Sequence, residues 1–214
     1  MKIPDQKQMW ERKHGAGEHD YFRDQPSELA KLAKKYLQKN SRVLELGCGN
    51  GRDSAYLAKE GFNVLASDFS ESVVEKNKEA IGESENLNFS MVDLAQKLPF
   101  SEESFDCVFA NLSLHYFTDK KTREIVVEIT RVLKSEGVLM FACKKVDSVR
   151  TGNATEVERD VFVDKKGHAL HAFTEDYVKQ ILLNNFSIQL LEDRDEEYCG
   201  WSSTVVYCVA SRKK

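Results

Sequence analysis

Short apolar runs alternate with helical periodicities from about Pro26 to about two thirds of the chain's length. Leu29, Leu32, Ala33 and Leu37 recur at helical spacing after Pro26, a residue suited to a first helical turn. Val43–Leu46 reads as a strand, and a short helix carrying Ala55, Leu57 and Ala58 runs to Gly61, a C-cap residue. Asn63–Ser67 is a second strand, followed by a helix through Val73 and Val74 that Ser70 can cap and Gly82 stops. Leu87–Val92 and Phe105–Ala110 read as the third and fourth strands. Ile125, Ile129, Val132 and Leu133 mark a helix over about Asp119–Lys134, closed by Gly137, before a fifth strand at Val138–Ala142. Such alternation predicts a parallel sheet with helices on both faces.

The remainder departs from this rhythm. Lys144–Phe173 is polar and weakly periodic, a stretch of about thirty residues of the kind that serves as a lid or stays disordered. Thr174 caps a helix bearing Tyr177, Ile181 and Leu182. Phe186–Leu191 and Thr204–Ala210 then follow as strands with no crossover helix between them, so they pair antiparallel. No repeat or low-complexity segment is present.

Val43–Ser54, VLELGCGNGRDS, carries the candidate chemistry. Glycines at 47, 49 and 51 let the backbone turn sharply and lie against a ligand, and the following helix presents its free N–H groups to whatever the loop holds. An ordinary glycine-rich turn of an α/β protein has the same look. A dinucleotide fingerprint would place a glycine where Arg52 stands, which disfavours a nicotinamide-dependent oxidoreductase. With Glu45 inside the strand, the pattern h-h-E-h-G-x-G-x-G resembles motif I of the class I S-adenosylmethionine-dependent methyltransferases, small-molecule type. That resemblance covers about residues 40–142 firmly. It implies a Rossmann-like three-layer α/β sandwich, with a seven-stranded mixed sheet holding one antiparallel strand near the C-terminus. It also implies S-adenosyl-L-methionine as cofactor and methyl transfer to a small-molecule acceptor by in-line displacement.

Ligands of open α/β sheets bind at the carboxyl ends of the strands, so the residues just past each strand belong together. Asp68 can accept hydrogen bonds from ribose hydroxyls, or merely mark the start of a helix beside Ser70. In the resemblance, Asp93 takes an adenine amino group and the Leu94 N–H a ring nitrogen. Asn111–Phe117, NLSLHYF, resembles the family's post-strand-four motif, which approaches the methionine end of the cofactor. The cofactor-binding set so expected is Trp10, Glu45, Gly47, Cys48, Gly49, Gly51, Arg52, Asp68, Phe69, Asp93, Leu94 and Asn111. Trp10, with Tyr21 and Phe22, would fold over the cofactor and offer an aromatic face to its sulfonium, or pack the first helix. A general base is needed only if the acceptor holds its proton at neutral pH, and His115, Tyr116, His168 and His171 are the candidates. Of these, His115, Tyr116 and His171 are taken as catalytic. His168 and His171, three residues apart, fit one helical face or a turn.

Bulk properties narrow the partners. The 214 residues, 41% hydrophobic and 31% charged, predict one domain over 1–214. Within it, 1–40 forms an N-terminal cap and first helix, 41–143 the cofactor-binding core, 144–173 a lid-like insertion, and 174–214 a C-terminal helix and hairpin. A net charge of −4 gives no footprint for a nucleic-acid backbone. No run suits a membrane helix and the N-terminus lacks a secretory apolar region, so a cytoplasmic protein, monomeric or homodimeric, is expected. Five scattered cysteines without a C-x-x-C pair argue against disulfides or a metal site. Cys107 and Cys208 read as core, whereas Cys143 and Cys199 fall where a substrate pocket could lie. A catalytically silent, methyltransferase-like binding protein is the alternative from another class.

Overall fold

The computed structural model describes residues 6–15, 25–145, 154–165, 167–198 and 201–214. Tyr21, Phe22 and Cys199 lie outside them. The elements run α1 (Gln6–Gly15), α2 (Glu28–Tyr36), β1 (Arg42–Leu46), α3 (Arg52–Lys59), β2 (Asn63–Asp68), α4 (Glu71–Ala80), β3 (Leu87–Met91) and β4 (Phe105–Asn111). A 3-10 turn (Leu114–Tyr116), α5 (Asp119–Val132), β5 (Leu133–Lys144), β6 (Thr155–Glu158), β7 (Val161–Val163) and β8 (Ala169–His171) follow. The chain closes with α6 (Glu175–Leu182), β9 (Phe186–Tyr198) and β10 (Trp201–Arg212). No helix among the described residues is long and apolar enough to cross a membrane.

The main sheet has seven strands in the order β3-β2-β1-β4-β5-β10-β9. Pairings from β3 to β5 are parallel, and β10 lies antiparallel to both β5 and β9. The expected single reversed strand is therefore β10, inserted beside the edge. Strand periodicity divides the core into two clusters. Leu44, Val108, Ala110, Leu139 and Phe141 face α5 and α6, while Val43, Cys107, Phe109 and Met140 face α2 and α3. Full burial of a side chain such as Phe109 contributes about 1.5–3 kcal/mol, and both faces are covered, which makes the three layers. Cys107 and Cys208 are core, as expected, and so is Cys143, which is fully buried and is not among the residues lining the cavity described below.

Several local expectations need correction. Pro26 precedes the N-cap, and Ser27 caps α2 by accepting the Ala30 N–H at 3.0 Å. The Ser70 hydroxyl does not cap α4 but pairs with Ser72 Oγ at 3.0 Å. Helix α5 ends at Val132, and the positive φ of its exit falls on Glu136 (63°) rather than on Gly137. Gly137 is needed for space, because a Cβ there would sit 2.9 Å from the Lys134 carbonyl oxygen. The polar stretch after β5 is not structureless: β6, β7 and β8 form a three-stranded antiparallel sheet. Val161, Phe162 and Val163 are buried there, and Phe173 joins the main core.

Candidate active site

The strand order reverses between β1 and β4, so their carboxyl ends diverge and open a crevice. A cavity of about 690 Å³ occupies it, within the ligand-pocket range of about 300–1,000 Å³. At the exit of β1, Gly47 adopts a φ of 77°, and a Cβ would lie 2.6 Å from Ser113 Cβ in the loop after β4. The Ser113 hydroxyl donates to the Leu46 carbonyl at 2.7 Å, which ties the two diverging loops together. The N–H groups of Gly47 and Cys48 both donate to the Ser67 carbonyl at 2.8 Å. Gly51 (φ 72°) starts α3 and packs toward Ile81 and Asn77 of α4, and it alone of the expected loop glycines does not line the cavity.

Carboxylates crowd the strand ends. Asp68 is buried, and its oxygens accept the Gly49 and Ser70 N–H groups, each at 3.1 Å, which fixes the carboxylate in the cavity wall. Glu45 bonds the Ser54 hydroxyl, and burial followed by the charge of Asp53 holds its carboxyl well above the usual range. Asp53 accepts the Ser27 N–H at 2.6 Å and the Asn111 amide at 3.0 Å. With its Nδ2 committed to Asp53, Asn111 keeps a buried Oδ1 that has no hydrogen-bond partner among the described residues. Asp93 accepts the Ala95 N–H at 2.9 Å and lies 3.7 Å from the ammonium of Lys7 on α1. Cys48, Arg52, Phe69 and Leu94 complete this half of the wall.

Aromatic groups form the other half. Trp10 of α1 stacks edge-on against Tyr116 at 4.6 Å between ring centroids, and the Lys13 ammonium lies 4.8 Å over the Trp10 ring. Burial pushes the Tyr116 phenol well above its ordinary value, so it stays protonated at neutral pH and is a poor base. His168 also lines the cavity, whereas His115 and His171 do not. The one helical face expected for His168 and His171 is absent because His168 directly precedes β8 and His171 ends it, and along extended chain residues three apart point to opposite sides. Asp53 sits inside the glycine-loop motif, and Asp164 and His168 stand four residues apart, but the rule of residues just past each strand singles out neither. Nothing local marks Lys144.

His115 is fully buried and His171 nearly so, and burial lowers both imidazoles, His115 far below the ordinary range. An unfolded chain protonates both rings near pH 6.5 while the folded one resists. Unfolding free energy is therefore full above about pH 6.5 and falls below it, by up to about 1.4 kcal/mol per pH unit for each ring. Urea unfolding from pH 8 to pH 5 should show this slope, with His115→Phe removing its share. Equal slopes for the two proteins would contradict the assignment.

The cavity's donors and acceptors fit a nucleoside carrying an amino-acid tail. Asp68 suits vicinal hydroxyls, the orphaned Asn111 Oδ1 suits an ammonium, and Gly49, whose absent Cβ meets nothing within 4 Å, leaves room for a ligand. Fold and site thus define an α/β protein with a ligand-sized cleft at its topological switch. Residues 43–137 match the family model described as a methyltransferase domain. Phosphoethanolamine N-methyltransferase of Triticum aestivum is 35% identical over 159 residues, which cover 71% of this chain and 31% of that protein. The chain spans about a third of the length of the first such curated relatives. A methyltransferase structure from Methanosarcina mazei superposes with a TM-score of 0.74 at 21% identity, over 85% of this chain and 97% of that one. The Burkholderia thailandensis 1,6-didemethyltoxoflavin-N1-methyltransferase, solved with 1,6-didemethyltoxoflavin and S-adenosylhomocysteine, gives 0.79 at 17% identity, over 100% and 92%. These two structural likenesses show the fold alone. The chain has the class I S-adenosylmethionine-dependent methyltransferase fold.

Proposed function

We propose that the protein transfers a methyl group from S-adenosyl-L-methionine to a small-molecule acceptor by in-line displacement. One observation carries this reading: the glycine loop, Asp68, Asp93-Leu94 and the Trp10–Tyr116–His168 end share the walls of a single cavity. When bound, the cofactor supplies a methyl group on positively charged sulfur. Asp68 would hold its ribose hydroxyls, Asp93 and the Leu94 N–H its adenine, and the Asn111 side its amino-acid end. The protein's own task is alignment of the acceptor and exclusion of water, and alignment supplies up to about 7–11 kcal/mol in model systems. The names of the wheat and Burkholderia proteins refer to small acceptors, and the net charge of −4 disfavours a nucleic-acid chain.

The β6–β8 sheet serves in this reading as a cover. It reaches the cavity through Asp164, His168 and Leu170 and is docked onto α1 by Gln6. A screen with labelled methyl donor and a small-molecule pool tests both ideas, comparing the intact chain with one whose residues 155–171 are replaced by a short linker. The intact chain should label a small molecule. The shortened one should bind S-adenosylhomocysteine within a few-fold of the intact chain and turn over far more slowly. Tight NAD binding with no S-adenosylhomocysteine binding would sink the cofactor reading, and equal turnover would sink the cover.

A further inference from the structure

We propose that Asp164 and His168 form the general-base pair that removes the acceptor's proton, so that the acceptor belongs to the class whose nucleophilic atom still carries a proton at neutral pH. The inference rests on the methyl-transfer reading and assigns its proton-handling residue. His168 Nδ1 lies 2.5 Å from Asp164 Oδ2, and the His168 backbone N–H donates to Asp164 Oδ1 at 2.9 Å. A carboxylate at Nδ1 fixes the tautomer with the proton on Nδ1 and leaves Nε2 as the basic nitrogen. That Nε2 is buried and has no hydrogen-bond partner among the described residues. A buried polar atom without a partner marks a place where a donor is missing, and His168 is one of the residues lining the cavity.

The tertiary structure spends contacts on holding this ring. Gln6 of α1 donates to the Gly167 carbonyl at 3.0 Å and accepts the Ala169 N–H at 2.9 Å, clamping the residues on either side of His168. The Trp10 ring lies 6.3 Å from the imidazole. Other titratable groups in the same walls include Tyr116, which burial keeps neutral, Lys13 on α1, Lys144 at the end of β5, and the carboxylates at the strand ends already described. Lys144 is pulled down by burial and drawn the other way by Asp164. In the step, the electron pair available once the acceptor atom gives up its proton forms the new bond to the methyl carbon as the carbon–sulfur bond breaks. That bonding pair stays on sulfur, the acceptor's proton passes to His168 Nε2, and Asp164 stabilises the imidazolium. Asp164 and Gln6 are positioning residues; His168 is the catalytic one.

The first test needs no turnover. Side-chain nitrogen NMR of the labelled full chain with S-adenosylhomocysteine, assigned by loss of one signal set in His168→Gln, should show His168 as the Nδ1–H tautomer. Asp164→Ala should convert it to the Nε2–H form. An Nε2–H or fully protonated ring in the wild type would overturn the pair. The second test uses phosphoethanolamine as acceptor with labelled S-adenosylmethionine. His168→Gln should lower transfer about 10²-fold or more, with S-adenosylhomocysteine affinity within a few-fold of wild type. Wild-type transfer rates in His168→Gln would overturn the proposal. A wild type that binds S-adenosylhomocysteine but does not methylate phosphoethanolamine would count against that acceptor, and the tautomer result would still decide the pair.

Discussion

Asp68→Ala is expected to weaken S-adenosylhomocysteine binding by about 10- to 150-fold while the protein stays folded. Hydrogen bonds to a charged group are worth about 1.5–3 kcal/mol, and each 1.4 kcal/mol is tenfold in affinity. The side chain lies at the carboxyl end of β2, buried, with its oxygens held by the Gly49 and Ser70 N–H groups. Those contacts are local, so removing the carboxylate frees two N–H groups beside the cavity rather than inside the apolar core. Asp68→Asn keeps the shape and one acceptor oxygen and should fall between the two. Calorimetry measures all three proteins. An Asp68→Ala affinity equal to that of the wild type would show that this carboxylate does not hold the ligand.

Gly47→Ala should act on the fold as well as the site. A non-glycine residue in the left-handed region costs about 1–2 kcal/mol, and overpacking adds about 1–3 more. At Gly47 both penalties apply, because φ is 77° and the new Cβ would lie 2.6 Å from Ser113 Cβ, close to the backbone of the opposite loop. A loss of roughly 2–5 kcal/mol corresponds to a drop of about 4–20 °C in Tm for a chain of this size. Because Ser113 is tied to Leu46, relief of the clash must part the loops that build the cavity, so S-adenosylhomocysteine binding should be lost too. Gly49→Ala is the control. Its φ is 52°, but nothing lies within 4 Å of the added carbon, so only the backbone penalty applies to stability. Thermal melting of both variants checks this, and a Gly47→Ala midpoint at the wild-type value would refute the close-approach argument.

Much of the site was legible because its signals are local. The strand-then-glycine pattern from Val43 to Gly51, and the acids at the end of β2 and just past β3, follow from backbone rules that act over a few residues. Trp10, Glu45, Gly47, Cys48, Gly49, Arg52, Asp68, Phe69, Asp93, Leu94, Asn111 and Tyr116 do come together around one cavity. The choice among histidines was not legible. His115, His168 and His171 carry the same chemistry in the sequence, and only packing separates one that lines the cavity from two enclosed in protein.

The sequence by itself determined the alternation of strands and helices, the reversed final strand and the glycine loop. Periods of 2 and 3.6 and the φ freedom of glycine are properties of short segments. Tertiary structure alone decided α1, whose segment QKQMWERKHG holds only Met9 and Trp10 as large apolar residues and shows no helical stripe. It also decided the β6–β8 sheet, whose three short strands take their order from pairing with one another and from Phe173 joining the core. The hydrogen bond joining Gln6 to Ala169 spans 163 positions of chain, and Asn111 meets Asp53 across 58. Closing such loops costs entropy that no local pattern records, and the folded core repays it only when all its layers form together.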